Sequence, residues 1–475
     1  MRNTTKILFL YLCFASALLI FVAQSVLAQP GRGTDAGSQY QRVARDIFKE
    51  LIEINTTMNI GSTRAAEAMA LRLKAAGFPE GDIQLVGPRS QNMNLVVRYH
   101  GTGTLRPILF IGHLDVVEAL RQDWSFDPFT FLEKDGYFYG RGTSDMKCED
   151  ADIVANLIRL KGEGFVPNRD IVVALTEHEE NGDANGIEWL LAHRRDLIDA
   201  EFAINLEGGG GDIKAGKPIL VEVQTSEKVY ISYQLEVKNR GGHSSMPVKD
   251  NAIYRLAAGL TRLVKYDFPI RLNETTRTFF ERTANKETDQ TRSDMVAILK
   301  TPLDTGAANR LAASSAYYNA LMRTTCVPTM LSGGHAENAL PQTARAVINC
   351  RMLPDDSAEN VFATLLHVLA DSQITVTQLG QPRPGPLSPL RKDVMDNVEK
   401  LTASMWPGVE VTPVMSTGAS DGKFLRQAGI PVYGVSGIFA DIDDVRAHGK
   451  DERIGVKEFY AGVEFMYRFV KSLTH

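Results

Sequence analysis

No Cys-x-x-Cys pair occurs in this chain, and cysteine itself is scarce, with 4 in 475 residues. Thiolate metal sites and redox pairs of that spacing are thereby excluded. Cys13 falls in the N-terminal apolar run, which leaves Cys148, Cys326 and Cys350, an odd number at wide spacing. Disulfides are therefore not expected to organise the fold, and the three thiols read as small buried apolar groups. Long basic runs are equally absent and the formal charge is -5, so neither a phosphate-neutralising face nor a coat for an anionic membrane is indicated. Nucleic acid is not an expected partner.

What is present begins with Arg2 and Lys6, an apolar stretch from Ile7 to Val22, and Val26-Leu27-Ala28 before Gln29-Pro30. This order predicts a signal peptide over 1–28 and export to the periplasm or beyond, with an uncleaved membrane anchor as the competing reading. A flexible leader, 29–39, follows. The remaining chain is too long for one compact core, so two domains, or one with a large insertion, are expected.

Helical apolar spacing marks Tyr40 to Ile54, Ala65 to Ala76 and Asp150 to Leu160. Four short continuous apolar runs, Ile108 to Ile111, Ile171 to Leu175, Phe202 to Leu206 and Val432 to Val435, suit strands buried on both faces of a parallel sheet. The expectation is a doubly wound α/β domain made of residues 40–221 and 380–475. Between them, over 222–379, the pattern changes to alternation, as in Val229, Ile231, Tyr233, Leu235 and Val237, and again from Ala344 to Met352. Strands with one buried face are indicated, with helices at Asn251 to Val264 and Ala358 to Ala370 available to cover them. This is an α+β insertion. The segment Arg271 to Met322 reads only as extra helix or loop.

Potential metal ligands fall where the predicted strands end, which is where open α/β sheets bind ligands. His113 and Asp115 close the first run and share a face, so Asp115 can fix the tautomer of His113; a structural histidine is the competing reading. Asp145 follows the glycine-rich turn Gly140-Arg141-Gly142-Thr143 and could instead merely cap the next helix. That turn has neither the G-x-G-x-x-G nor the Walker spacing, so a phosphate role is poorly supported. Glu177-His178-Glu179-Glu180 follows the second run, where a solvated acidic turn is the alternative. Glu207 closes the third run, and His448 sits in His448-Gly449-Lys450-Asp451-Glu452. Together, two histidines and three acids without a thiol suit a pair of zinc ions, or cobalt or manganese, bridged by one aspartate.

Gly112-His113-Leu114-Asp115, Gly140-Arg141-Gly142-Thr143-Ser144-Asp145, Glu179-Glu180, Gly241-Gly242-His243-Ser244 and His448-Gly449-Lys450-Asp451-Glu452 resemble the co-catalytic zinc metallopeptidases. That family includes aminoacylases, glutamate carboxypeptidase, Gly-X carboxypeptidase and succinyl-diaminopimelate desuccinylase. The resemblance spans nearly the whole chain after the leader. It implies that Asp145 bridges two zinc ions, with His113 and Glu207 on one and Glu180 and His448 on the other, and that Glu179 is the general base. It further implies that the insertion is a lid and dimerisation domain. His243 in that lid would stabilise the oxyanion, supplied by the partner subunit in dimeric members, while Asn338 and Arg351 would hold the substrate carbonyl and carboxylate.

Two departures stand out: His178 replaces the usual Asp before the paired glutamates, and Lys423 stands where Arg is common. The expected activity is cleavage of an amide bond beside a free carboxylate, in a small peptide or an N-acyl amino acid. A dipeptidase or other deacylase is the alternative, and a non-catalytic periplasmic binding protein is the reading from another class.

Overall fold

The computed structural model describes residues 34–180 and 183–475. The expected signal peptide lies outside the described residues. The leader is corrected in its second half, because a helix runs over Thr34–Glu53. Its stripe of Ala44, Ile47, Phe48, Leu51 and Ile52 is fully buried at the spacing of one helical face, the packing from which a helix draws most of its stability.

A ten-stranded sheet forms the centre. The four apolar runs are its middle strands, Ile171–Thr176, Ile108–His113, Phe202–Asn205 and Val432–Gly434, adjacent in that order and all parallel. Continuous hydrophobicity is explained by cover on both faces. Helices Thr34–Glu53, Lys147–Gly162 and Val456–Leu473 contribute to one core layer, and Gly186–His193 with Gly422–Gln427 to the other. The sheet is extended by antiparallel strands, among them Lys217–Glu227, which pairs in parallel with Glu410–Ser416.

Strand Lys217–Glu227 stays in this sheet past residue 222, and the chain crosses at Lys228 into a second, four-stranded antiparallel sheet. Its order is Thr325–Gly333, Thr343–Met352, Val229–Lys238 and Ile374–Leu379. One face carries Val229, Ile231, Tyr233, Leu235 and Val237, packed under helices Ala252–Leu263 and Ala358–Leu369. Asn251 and Ser357 cap those helices by accepting from backbone N–H groups, as short polar side chains at that position do.

The 271–322 segment resolves into four helices, Glu274–Ala284, Asp289–Ile298, Thr305–Ser314 and Ala316–Met322. Phe279, Phe280, Met295, Leu311 and Met322 bury with Val414 and Met415 of the large sheet's strand Glu410–Ser416. This unit thus braces the large sheet rather than only enlarging the insertion. Cysteine also departs from expectation: Cys326 and Cys350 form a disulfide. They stand directly opposite each other on neighbouring strands, a closeness that their separation of 24 residues does not reveal. Among the described residues, Cys148 alone remains free, and it is buried. Among the described residues, no helix is long and apolar enough to cross a membrane.

Candidate active site

The carboxyl ends of the parallel strands converge on one place. His113 is the last residue of its strand, Glu177 to Glu180 follow Thr176, and Glu207 lies two residues beyond Asn205. Asp145 enters from the turn before helix Lys147–Gly162, and it does not cap that helix: the cap residue is Met146, with no side-chain cap hydrogen bond. Its carboxylate instead divides between two histidines. Oδ1 lies 3.2 Å from His113 Nε2 and Oδ2 lies 3.1 Å from His448 Nε2. His448 in turn reaches Glu180 Oε1 at 2.8 Å.

Two overlapping groups result, His113–Asp145–Glu207 and Asp145–Glu180–His448, each with its ligand atoms within 4.8 Å of one another. They share Asp145. Two histidines and three carboxylates converging this closely, without a thiol, form a donor set suited to two divalent cations. Electrostatics agrees. Glu179 is pushed up to about 8 by burial, with Asp421 adding to it; burial and neighbouring Glu179 also raise Glu207. Despite the burial penalty, His113 is raised by Asp145, Asp115 and Glu179, and His448 is raised to about 10 by its bonds to Asp145 and Glu180. So many carboxylates gathered out of water create an excess of negative charge that cations would relieve.

Asp115 acts differently from expectation. The acceptor facing His113 Nδ1 is the backbone carbonyl of Asp115, at 3.0 Å, while its carboxylate stands 3.7 Å away. A carbonyl can only accept, so Nδ1 carries the proton and Nε2 is free to point at Asp145. The Asp115 carboxylate accepts the backbone N–H groups of Glu179 at 3.2 Å and Glu180 at 3.1 Å. It thereby shapes the loop on which both glutamates sit. That loop is not a solvated acidic turn, since the Glu180 side chain keeps only 8% of its exposure.

His178 stays out of both groups. Its ring is buried, with Nε2 3.2 Å from Asn92 Nδ2, and Glu177 beside it accepts from Asn92 and Ser62. Nor does the glycine-rich turn cradle a phosphate, because Ser144 N–H and Asp145 N–H are already given to Glu452 Oε1 at 2.7 and 3.1 Å. Glu452, fully buried and ion-paired with Arg141, is a supporting residue that sequence reasoning quoted within a motif without giving it a role. Asp421 was likewise passed over: it accepts from Asn185 Nδ2 and Thr176 Oγ1, and Asn185 also caps the helix after the glutamate loop.

A cleft of about 500 Å3 opens beside the cluster, and Arg351 lines it together with Glu179, Glu180 and His448. The Arg351 guanidinium lies 4.8 Å from the Tyr230 ring centre. His243 and Asn338 do not join them. Both are exposed on the second sheet's domain, side by side, where Ser244 N–H donates to the Asn338 carbonyl at 3.0 Å.

The profile of peptidase family M20/M25/M40 matches residues 109–472. The human N-fatty-acyl-amino acid synthase/hydrolase is 29% identical over 382 residues, covering 78% of this chain and 74% of that protein. Carboxypeptidase S of Saccharomyces cerevisiae is 24% identical over 449 residues, covering 84% and 77%. Among solved structures, an M20 family metallo-carboxypeptidase from Sulfolobus solfataricus superposes with a TM-score of 0.68 at 18% identity, covering 90% of this chain and 99% of that one. That likeness concerns the fold.

Proposed function

Since the chain belongs to peptidase family M20/M25/M40 and is a metal-dependent hydrolase, we propose that it cleaves an amide bond next to a free carboxylate, as a carboxypeptidase or N-acyl-amino-acid amidohydrolase. One observation carries the reading: each oxygen of Asp145 faces a different histidine, with an acid completing either group. His113, Asp145 and Glu207 would hold one ion, and Asp145, Glu180 and His448 the other. Zinc is the metal proposed, and cobalt or manganese fits the same nitrogen and oxygen donors. When bound, such a pair lowers the pKa of a shared water toward neutrality and polarises the scissile carbonyl.

The protein's own residues do the rest. Glu179, held by Asp115 at the edge of the cleft, takes the proton of the attacking water and returns it to the leaving nitrogen. Arg351 pairs with the carboxylate of the leaving amino acid through its planar fork. His243 and Asn338 are proposed to act on the substrate carbonyl from a second subunit. Supporting this, Thr325–Gly333 is an edge strand bearing exposed Val327, Met330 and Leu331, the kind of edge that seeks a partner. Export through the signal peptide at 1–28 is also proposed, and the Cys326–Cys350 disulfide favours an oxidising compartment.

The test is hydrolysis of a panel of N-acyl amino acids and short peptides before chelation, after it, and after zinc is restored. Metal-restorable release of a C-terminal amino acid is expected. Activity that survives complete metal removal would overturn the reading.

A further inference from the structure

The cleft beside Glu179 carries more positive charge than one substrate carboxylate requires. Lys228, Arg351, Arg383 and Lys423 all line it. Among the described residues, Lys228, Arg351 and Lys423 form no ion pair with any carboxylate. Arg351 has only the Tyr230 ring beneath it. Lys228 is 1% exposed, yet its ammonium donates only to neutral oxygens, the Arg323 carbonyl at 2.7 Å and Thr325 Oγ1 at 3.4 Å. Burial, followed by repulsion from Arg351, pulls it down to about 7. Asp356 opposes that shift from a distance, and an anion brought beside Arg351 would favour the charged lysine further.

Lys423 lies apart from that pair. Its ammonium sits 4.8 Å from the centre of the Phe424 ring, and Arg383 sits 5.8 Å from the same ring, so two cations gather around one aromatic side chain. Arg383 is tethered to Glu188 at 2.8 Å on a partly exposed bridge, the kind of pair that opens at little cost. The acids of the cleft are already committed. Glu227 is held by Arg426 and by the Ser420 N–H, and Glu179 and Glu180 belong to the catalytic cluster. Val229 and Ala419 are the aliphatic side chains among the lining residues, and a second carboxylate would find Lys423 and Arg383.

We infer that the leaving amino acid is itself acidic, its α-carboxylate taken by Arg351 beside Lys228 and its side-chain carboxylate by Lys423 with Arg383. This rests on the reaction proposed above, and it assigns Lys423 and Arg383 as specificity residues of the same cleft. An aspartate or glutamate residue bearing an N-acyl or peptidyl group is the substrate class.

The experiment compares kcat/KM for N-acetyl-L-glutamate, N-acetyl-L-glutamine and N-acetyl-L-leucine on the zinc-loaded full chain, in wild type and in Lys423→Met, Arg383→Gln and the double variant. Calorimetric binding of the same three compounds is measured in parallel. Expected is a preference for glutamate over glutamine of about tenfold or more, expressed in KM and weakened by salt. In the double variant that ratio should fall to within about threefold of unity. A wild-type ratio of one or below, or an unchanged ratio in the double variant, overturns the inference while the amidohydrolase reading stands. If none of the compounds is hydrolysed, the N-acetyl group is not the one cleaved, and the binding ratio still decides the charge preference, a ratio of one or below overturning the inference.

Discussion

Glu452 holds Asp145 by its backbone: Oε1 accepts the Asp145 N–H at 3.1 Å, while Oε2 is ion-paired with buried Arg141. The residue whose two oxygens face His113 and His448 is therefore positioned from 307 residues further along the chain. Substituting Glu452→Gln should keep an acceptor near the turn but leave Arg141 without its charge. The expected outcome is metal affinity weakened roughly 10- to 100-fold, the usual worth of a group that orients a ligand. Competition against a chelator measures it, and undiminished affinity would argue that Glu452 only stabilises the fold.

If Glu179 is the base, Glu179→Gln retains bound metal and lowers kcat by about two to four orders of magnitude. A His243→Ala variant should also be crippled. Because His243 lies outside its own chain's cleft, co-expressing the two dead variants should restore activity to about a quarter of wild type, since half the dimers would be mixed and each would hold one complete site. No recovery from mixed dimers verified by two affinity tags would refute the shared site.

The pH dependence of stability follows from Glu222, which lies on strand Lys217–Glu227 and is pushed up to about 7 by burial, with Asp212 contributing. A carboxyl raised in the folded state contributes stability that is full below its ordinary value of 4.5 and is lost as pH rises through about 7. Glu222→Gln should therefore melt higher than wild type at pH 8, by roughly 2–5 °C. The two should converge near pH 4.5. A wild type that is the more stable at pH 8 would contradict the assignment.

Reduction offers a separate check on the second sheet. A loop of 24 residues closed by Cys326–Cys350 is worth about 3 kcal/mol in the chain-entropy account. Cys326→Ser with Cys350→Ser, or reduction of the wild type, should lower the unfolding midpoint by several degrees. Thermal melts with and without reductant provide the comparison, and a reductant-insensitive melt with free thiols detected would show that the bridge carries no such stability.

Much of this protein is written in local pattern. Continuous apolar runs at Ile108, Ile171, Phe202 and Val432 are what a strand covered on both faces requires, and they are the four parallel strands at the centre of the sheet. Alternation from Val229 to Val237 likewise follows from a sheet with one buried face. The clustering of His113, Asp145, Glu180, Glu207 and His448 is legible for the same reason, since a residue that ends such a strand emerges at the sheet's binding edge.

What the tertiary structure alone decided concerns pairs that are distant along the chain. Cys326 meets Cys350 only because their strands pair in one particular register. Asp115 serves the glutamate loop with its carboxylate and His113 with its carbonyl, a division that i, i+2 spacing cannot express. Glu452 finds Arg141, and Lys423 joins Arg351 in one cleft, through chain crossings that leave no periodicity behind. Sequence by itself determined which segments bury and where the histidines and acids of the cluster emerge, because burial and strand polarity are local properties. The folded structure decided which charges face one another, because electrostatic neighbours are set by the packing of elements remote in the chain.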